Sequence, residues 1–173
     1  MDRSLPRAFV VLGDVGRVHG DALITAVMAP EPWNGLTDEV IYRTRGQDFH
    51  RILRQHLRTS RFADTVVVSV RRQAGWSWST IVFVVDQRDD HSGMSLQLRR
   101  GLVTASDHGL TRVVVPVMGA NYCDMSDSSL VEALGDIAGP TVRECNDARS
   151  RLREIVVVTD DTRVALELGQ LLR

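Results

Sequence analysis

Ala8-Phe9-Val10-Val11-Leu12 runs directly into Gly13-Asp14-Val15, and the reading of this junction decides the fold. An apolar run without polar alternation describes a strand covered on both faces, the kind found in the middle of an α/β sheet. The glycine and the acid end it. A carboxylate just past the end of a buried strand can accept a hydrogen bond from an adenine amino group, the edge contact that fixes a nucleobase. It can equally cap the turn that follows the strand. Both readings of Asp14 stand at this point.

Moving outward, similar runs recur at Ala22-Leu23-Ile24-Thr25-Ala26-Val27-Met28, Thr65-Val66-Val67-Val68, Ile81-Val82-Phe83-Val84-Val85, Val113-Val114-Val115-Pro116-Val117 and Ile155-Val156-Val157-Val158. Between them the apolar period changes from strand to helix. Phe49, Ile52, Leu53 and Leu57 fall on one helical face, as do Leu98, Leu102 and Ala105, and again Val164, Leu168, Leu171 and Leu172. Residues 126–148 carry a further helical pattern through Leu130, Leu134 and Ile137, interrupted at Gly139-Pro140. Residues 71–78 read as a hairpin connection with Gly75 at its turn. The order β-β-α-α-β-β-α-β-α-β-α predicts a three-layer α/β/α sandwich around a mixed central sheet.

Composition sets the bounds. A chain of 173 residues that is 43% hydrophobic can bury one substantial core, so a single domain over 1–173 is expected. A formal net charge of -1 argues against general attraction to nucleic acid or to an anionic membrane. Every basic residue other than histidine is arginine, which excludes any mechanism needing a lysine base or Schiff base. Cys123 and Cys145 are not spaced as a metal knuckle, and they point to a reducing compartment. The first seven residues are polar, without the apolar run of a signal peptide or a span, so a cytoplasmic location is expected. His50 and His56 are not at the spacing that sets two imidazoles on one helical face, and His19, His91 and His108 fall in turns; no metal site and no cofactor are expected. Neither a nucleophile elbow nor a Walker loop is present.

The order and content of these segments resemble a macro domain, the ADP-ribose-binding module. Gly13-Asp14-Val15 is similar to the family's Gly-Asp-Ile turn, and residues 21–28 to the strand Asp-Ala-Ile-Val-Asn-Ala-Ala-Asn. Gly35-Leu36-Thr37-Asp38-Glu39-Val40-Ile41-Tyr42-Arg43 resembles the glycine-rich loop with Val-Asp-Gly-x-Ile-His-Arg. Residues 80–86, 112–119 and 155–160 look like the later strands, so the likeness spans nearly the whole chain with few identities.

The resemblance implies a cleft at the strand ends, closed by two loops. Asp14 and Val15 would hold the adenine, and Thr25 stands where the first family asparagine does. Gly35 and Asp38 would serve the first loop, and Gly119, Ala120, Asn121 and Tyr122 the second. A diphosphate held by backbone amides needs glycines and a helix N-terminus. Here the sequence departs from the family. Only Gly35 is left of the first glycine run, beside Pro30, Pro32 and Trp33, while Asn121 and Asp124 stand where glycine is usual. Met28 replaces the asparagine that would bond the distal ribose, and a thioether cannot donate.

Three functions follow. The leading one is a binding module for ADP-ribose or a related adenine nucleotide, free or on an ADP-ribosylated macromolecule, without efficient catalysis. The second is an ADP-ribosyl hydrolase in which Asp38 positions water, as the resemblance to MacroD-type enzymes implies. The third is a macro-fold interaction module with Trp33, Trp76 and Trp78 as contact anchors. Asp38, next to Thr37 at a helix start, can also be simply a cap. Thr25 and Met28 on a buried strand can be core packing, and Tyr122 an ordinary loop residue.

Overall fold

The computed structural model describes residues 6–28, 36–59, 65–70, 77–86, 94–117 and 151–172. These form strands β1 (Arg7–Leu12), β2 (Ala22–Met28), β3 (Thr65–Ser69), β4 (Thr80–Asp86), β5 (Arg112–Pro116) and β6 (Glu154–Thr159), with helices α1 (Leu36–Thr59), α2 (Met94–Asp107) and α3 (Thr162–Leu171). A single 3-10 turn, Val15–Arg17, lies between β1 and β2. The expected helix over 126–148, the turn at 71–76, both cysteines, Trp33, Trp76 and His91 lie outside the described residues.

The strands make one six-stranded sheet in the order β1-β6-β5-β2-β4-β3, parallel throughout except for β3, which pairs antiparallel with β4. The mixed sheet follows from the sequence. The β-branched runs of β4, β5 and β6 are buried almost end to end, as strands between two helical layers must be. The edges obey less strictly. β1 exposes Phe9 and Leu12, and β3 buries Val66 and Val68 while leaving Val67 half-covered, so the expectation of full cover fails where a strand has one neighbour only.

Two apolar clusters lie on opposite faces of the sheet. One joins Ile24, Val82 and Val84 to Leu98, Leu102 and Ala105 of α2 and to Val164 and Leu168 of α3. The other joins Leu23, Val27, Phe83 and Val114 to Val40, Ile41 and Leu53 of α1 and to Val15 of the 3-10 turn. This is the three-layer sandwich that the periodicities predict. Ile52 departs from its expected face and is exposed, while Leu53 is fully buried. α2 comes very near the sheet at Gly101, where an added Cβ would stand 2.5 Å from Ile24 Cγ2. α3 starts on Asp161, whose carboxylate accepts from the amides of Arg163 and Val164.

At the N-terminal end of the sheet, Asp21 ties the strands together. Its Oδ2 accepts from the Thr111 and Arg112 amides that lead into β5, and its carbonyl accepts from Ser79 and Thr80 at the start of β4. Trp78 is buried there and donates through Nε1 to the Val18 carbonyl at 2.9 Å, which makes it a core residue rather than a surface anchor. No helix among the described residues is long and apolar enough to cross a membrane.

Candidate ligand-binding site

β1 and β2 run parallel, so the chain must return from one end of the sheet to the other within residues 13–21. It does so diagonally over β6 and β5, with Val15 buried beside Val114, Val156 and Val158. Gly13 is held to the end of β6 by its amide, which donates to the Thr159 carbonyl at 2.8 Å. Asp14 follows in extended conformation and caps the 3-10 turn: Oδ1 accepts from the Gly16 amide at 2.8 Å. The Arg17 amide donates to the Asp14 carbonyl and the Val18 amide to that of Val15, so the Val15 amide takes no part in the bonds of the turn itself. The capping reading of Asp14 therefore holds for one of its two oxygens.

The other oxygen leaves the turn. Oδ2 accepts from Arg43 Nη2 of α1 at 3.0 Å, and Arg17 stands farther off at 4.0 Å. Gly16 lies against Val40 of the same helix. The first half of α1 and the turn after β1 therefore form one wall at the C-terminal edge of the sheet, with a carboxylate and a guanidinium side by side.

Asp38 occupies the first turn of α1, as expected for a helix start, and one of its oxygens has a side-chain partner. Its Oδ1 meets Nε2 of His50, twelve positions on in the same helix. In a straight helix that separation is about 18 Å at 1.5 Å per residue, far beyond bonding reach. Gly46 resolves the paradox: at φ 77° and ψ 175° it leaves helical conformation and breaks α1 into two segments. Only glycine adopts this backbone without strain. The break turns His50 back onto the first segment, where Tyr42 packs edge-on at 5.6 Å between ring centres. Arg45 lies 5.0 Å over the Phe49 ring and braces the same corner.

Asp38 and His50 keep only 14% and 12% of their side-chain surface. Burial pushes the Asp38 carboxyl above its ordinary value, outweighing the opposite pull of the His50 hydrogen bond, the His50 charge and the Arg54 charge. Burial also lowers the Arg45 guanidinium. A carboxylate so engaged serves α1 first.

Of the other residues singled out by sequence, Thr25 is buried in the middle of β2, in register with Phe83 and on the α1 face with Leu23 and Val27. Met28 ends β2 opposite Asp86. Gly35, Gly119, Ala120, Asn121 and Tyr122 lie outside the described residues, as do Pro30, Pro32 and Asp124. The structure thus joins Asp14 and Val15 to the first half of α1, and adds two partners that sequence reasoning missed, Arg43 and His50. Gly46 inside a helical pattern was the available signal for the second; the first stood at the end of the stretch likened to Ile-His-Arg, but nothing local paired it with Asp14. Among the described residues no cluster of three or more His, Cys, Asp or Glu side chains could hold a metal.

A hollow of about 380 Å³ opens elsewhere, between β1 and α3, lined by Ala8, Val10, Leu12, Ala165 and Leu166 among others. Its lining is apolar apart from Thr162 and carries no charge, which suits no diphosphate.

No family model matches the sequence, and no curated protein does. Solved structures do. The Trypanosoma brucei macrodomain in complex with ADP-ribose aligns at 14% identity with a TM-score of 0.69, over 96% of this chain and 69% of that one. A variant of the Oceanobacillus iheyensis macrodomain aligns at 12% identity and TM-score 0.68, over 94% and 89%. The IBV X-domain aligns at 12% and 0.64, over 98% and 99%. Likeness at such identities is likeness of fold.

Proposed function

Proceeding from a chain that has the macro-domain fold, we propose that it is a binding module for ADP-ribose or a related adenine nucleotide, free or attached to a macromolecule, and that it hydrolyses such ligands poorly at most. The observation that carries this reading is Asp14. A carboxylate at the C-terminal edge of a parallel sheet, where ligands of such sheets bind, keeps one oxygen directed away from its own turn. Next to it lies the Val15 amide, outside the bonds of the turn. An acceptor beside a donor complements an adenine edge, which offers an amino group beside a ring nitrogen. The T. brucei macrodomains solved with ADP and with ADP-ribose support the choice of ligand by analogy of fold.

Weak catalysis follows from the state of Asp38. The carboxylate that would position a water has one oxygen on His50 and is mostly buried. Orientation is a large part of any such rate, and this group is oriented toward its own helix. The lysine of another hydrolase class is absent from the chain. By the family resemblance alone, Gly35, Gly119, Ala120, Asn121 and Tyr122 are the residues we assign to the rest of the site.

A thermal-shift panel with ADP-ribose, NAD, AMP and ADP tests the reading. A rise in melting temperature with ADP-ribose is expected, by the mass action of a ligand that binds only the folded state. A flat response to all four at millimolar concentration rejects it.

A further inference from the structure

Both oxygens of Asp14 are engaged before any ligand arrives, and the two bonds differ in kind. The bond from the Gly16 amide closes a local turn and cannot open without unwinding it. The bond from Arg43 joins side chains 29 positions apart, with 58% of the arginine side chain and 34% of the aspartate exposed. Exposed ion pairs of this sort are weak and exchange readily with solvent. The oxygen that can be freed is therefore Oδ2, and Arg43 sits on it.

We propose that Arg43 is a specificity-determining residue that competes with an adenine amino group for Asp14 Oδ2, and so blunts the preference of the site for a base bearing an amino group over one bearing a carbonyl. The inference rests on the nucleobase reading of Asp14 given above. A carboxylate alone accepts from an amino group and repels a carbonyl oxygen. A carboxylate with a guanidinium beside it offers donors as well, and a guanidinium bonds carbonyl and ring acceptors readily. With Arg43 in place, adenine must displace a charge-assisted partner, whereas hypoxanthine can bond that partner directly. The pair makes the base site less discriminating than the carboxylate by itself.

The test compares dissociation constants for ADP-ribose and for its hypoxanthine counterpart, inosine diphosphate ribose, in the wild-type chain, Arg43→Ala and Arg43→Lys. Removing Arg43 also removes a positive charge, which acts on the diphosphate of both ligands alike, so the readout is the ratio of the two constants. The ratio should shift toward ADP-ribose in Arg43→Ala by about two- to fivefold, the scale of an exposed ion pair, and remain near the wild-type value in Arg43→Lys. An unchanged ratio in Arg43→Ala, or a shift toward the hypoxanthine ligand, overturns the inference while leaving the site intact. Should no chain bind either ligand, or should Asp14→Ala bind as well as wild type, the nucleobase reading falls and the inference with it. Melting temperatures of the variants serve as the folding control.

Discussion

The two faces of the central sheet are built on different rules. On the α2 and α3 face, helices lie flat on buried Val and Ile, and Gly101 is small because Ile24 leaves no room for more. On the α1 face the same sheet is crossed by a short irregular segment and covered by a broken helix. There Gly46 has open space around it, and it is the backbone conformation that demands glycine. All the polar pairs of the candidate site, Asp14 with Arg43 and Asp38 with His50, belong to this second face. Both layers bury a large apolar cluster, and the α2 and α3 layer does so with regular helices. The other gives up regularity, and with it gains directed charges at the sheet edge.

That contrast breaks most visibly through the packed layer. Leu102→Ala, at a side chain buried among Ile24 and Val84, should cost about 2–5 kcal/mol in urea unfolding, the range for cavity-forming changes in a core. Ligand affinity of the molecules still folded should not change. A loss of affinity with small destabilisation would mean that the α2 face also shapes the site.

The broken helix offers a test whose sign is diagnostic. Gly46→Ala should destabilise by about 1–3 kcal/mol, because alanine does not tolerate that backbone. Were α1 continuous, the same change would stabilise by about 1 kcal/mol through helix propensity. Chemical denaturation distinguishes the two outcomes at once.

A smaller effect sharpens the comparison from its electrostatic side. Asp38 has a folded-state pKa above its ordinary 3.8. As pH rises past that value, the unfolded chain releases its proton before the folded chain does, so the contribution of Asp38 to stability is full below 3.8 and declines until the folded carboxyl has ionised. Asp38→Asn should remove this component. The difference between wild-type and variant stability, followed from pH 3 upward by denaturation, should fall over that interval; a difference that rises instead would show that His50 holds the carboxyl below its ordinary value.

Much of the fold was legible because β-branched runs and helical periods are local. Val113, Val156 and their neighbours announce a sandwiched sheet, and Leu98, Leu102 and Ala105 announce the face of α2. Edge status was not legible: the run at Phe9 reads as fully covered, but whether a strand has one neighbour or two depends on the order of strands across the sheet. Ile52 was misread because it adjoins Leu53 about 100° around the same helical segment: only Leu53 turns into the core, and periodicity does not say which of two neighbouring apolar positions is the buried one. The site divides in the same way. Asp14 stood out by its place after a strand, and its capping bond lies within two residues. Its bond to Arg43 depends on how α1 docks against the turn, and the partnership of Asp38 with His50 on how the two segments on either side of Gly46 fold onto each other. Side-chain partners fixed by tertiary docking leave no local mark.

Calorimetric titration of ADP-ribose into the wild-type chain and into Asp14→Ala bears most directly on the proposal that this carboxylate holds a nucleobase. The account predicts saturable binding to wild type and a loss of about 1.5–3 kcal/mol in the variant, the scale of a charge-assisted hydrogen bond. No heat with wild type at millimolar ligand, or equal affinity in the two proteins, would contradict it.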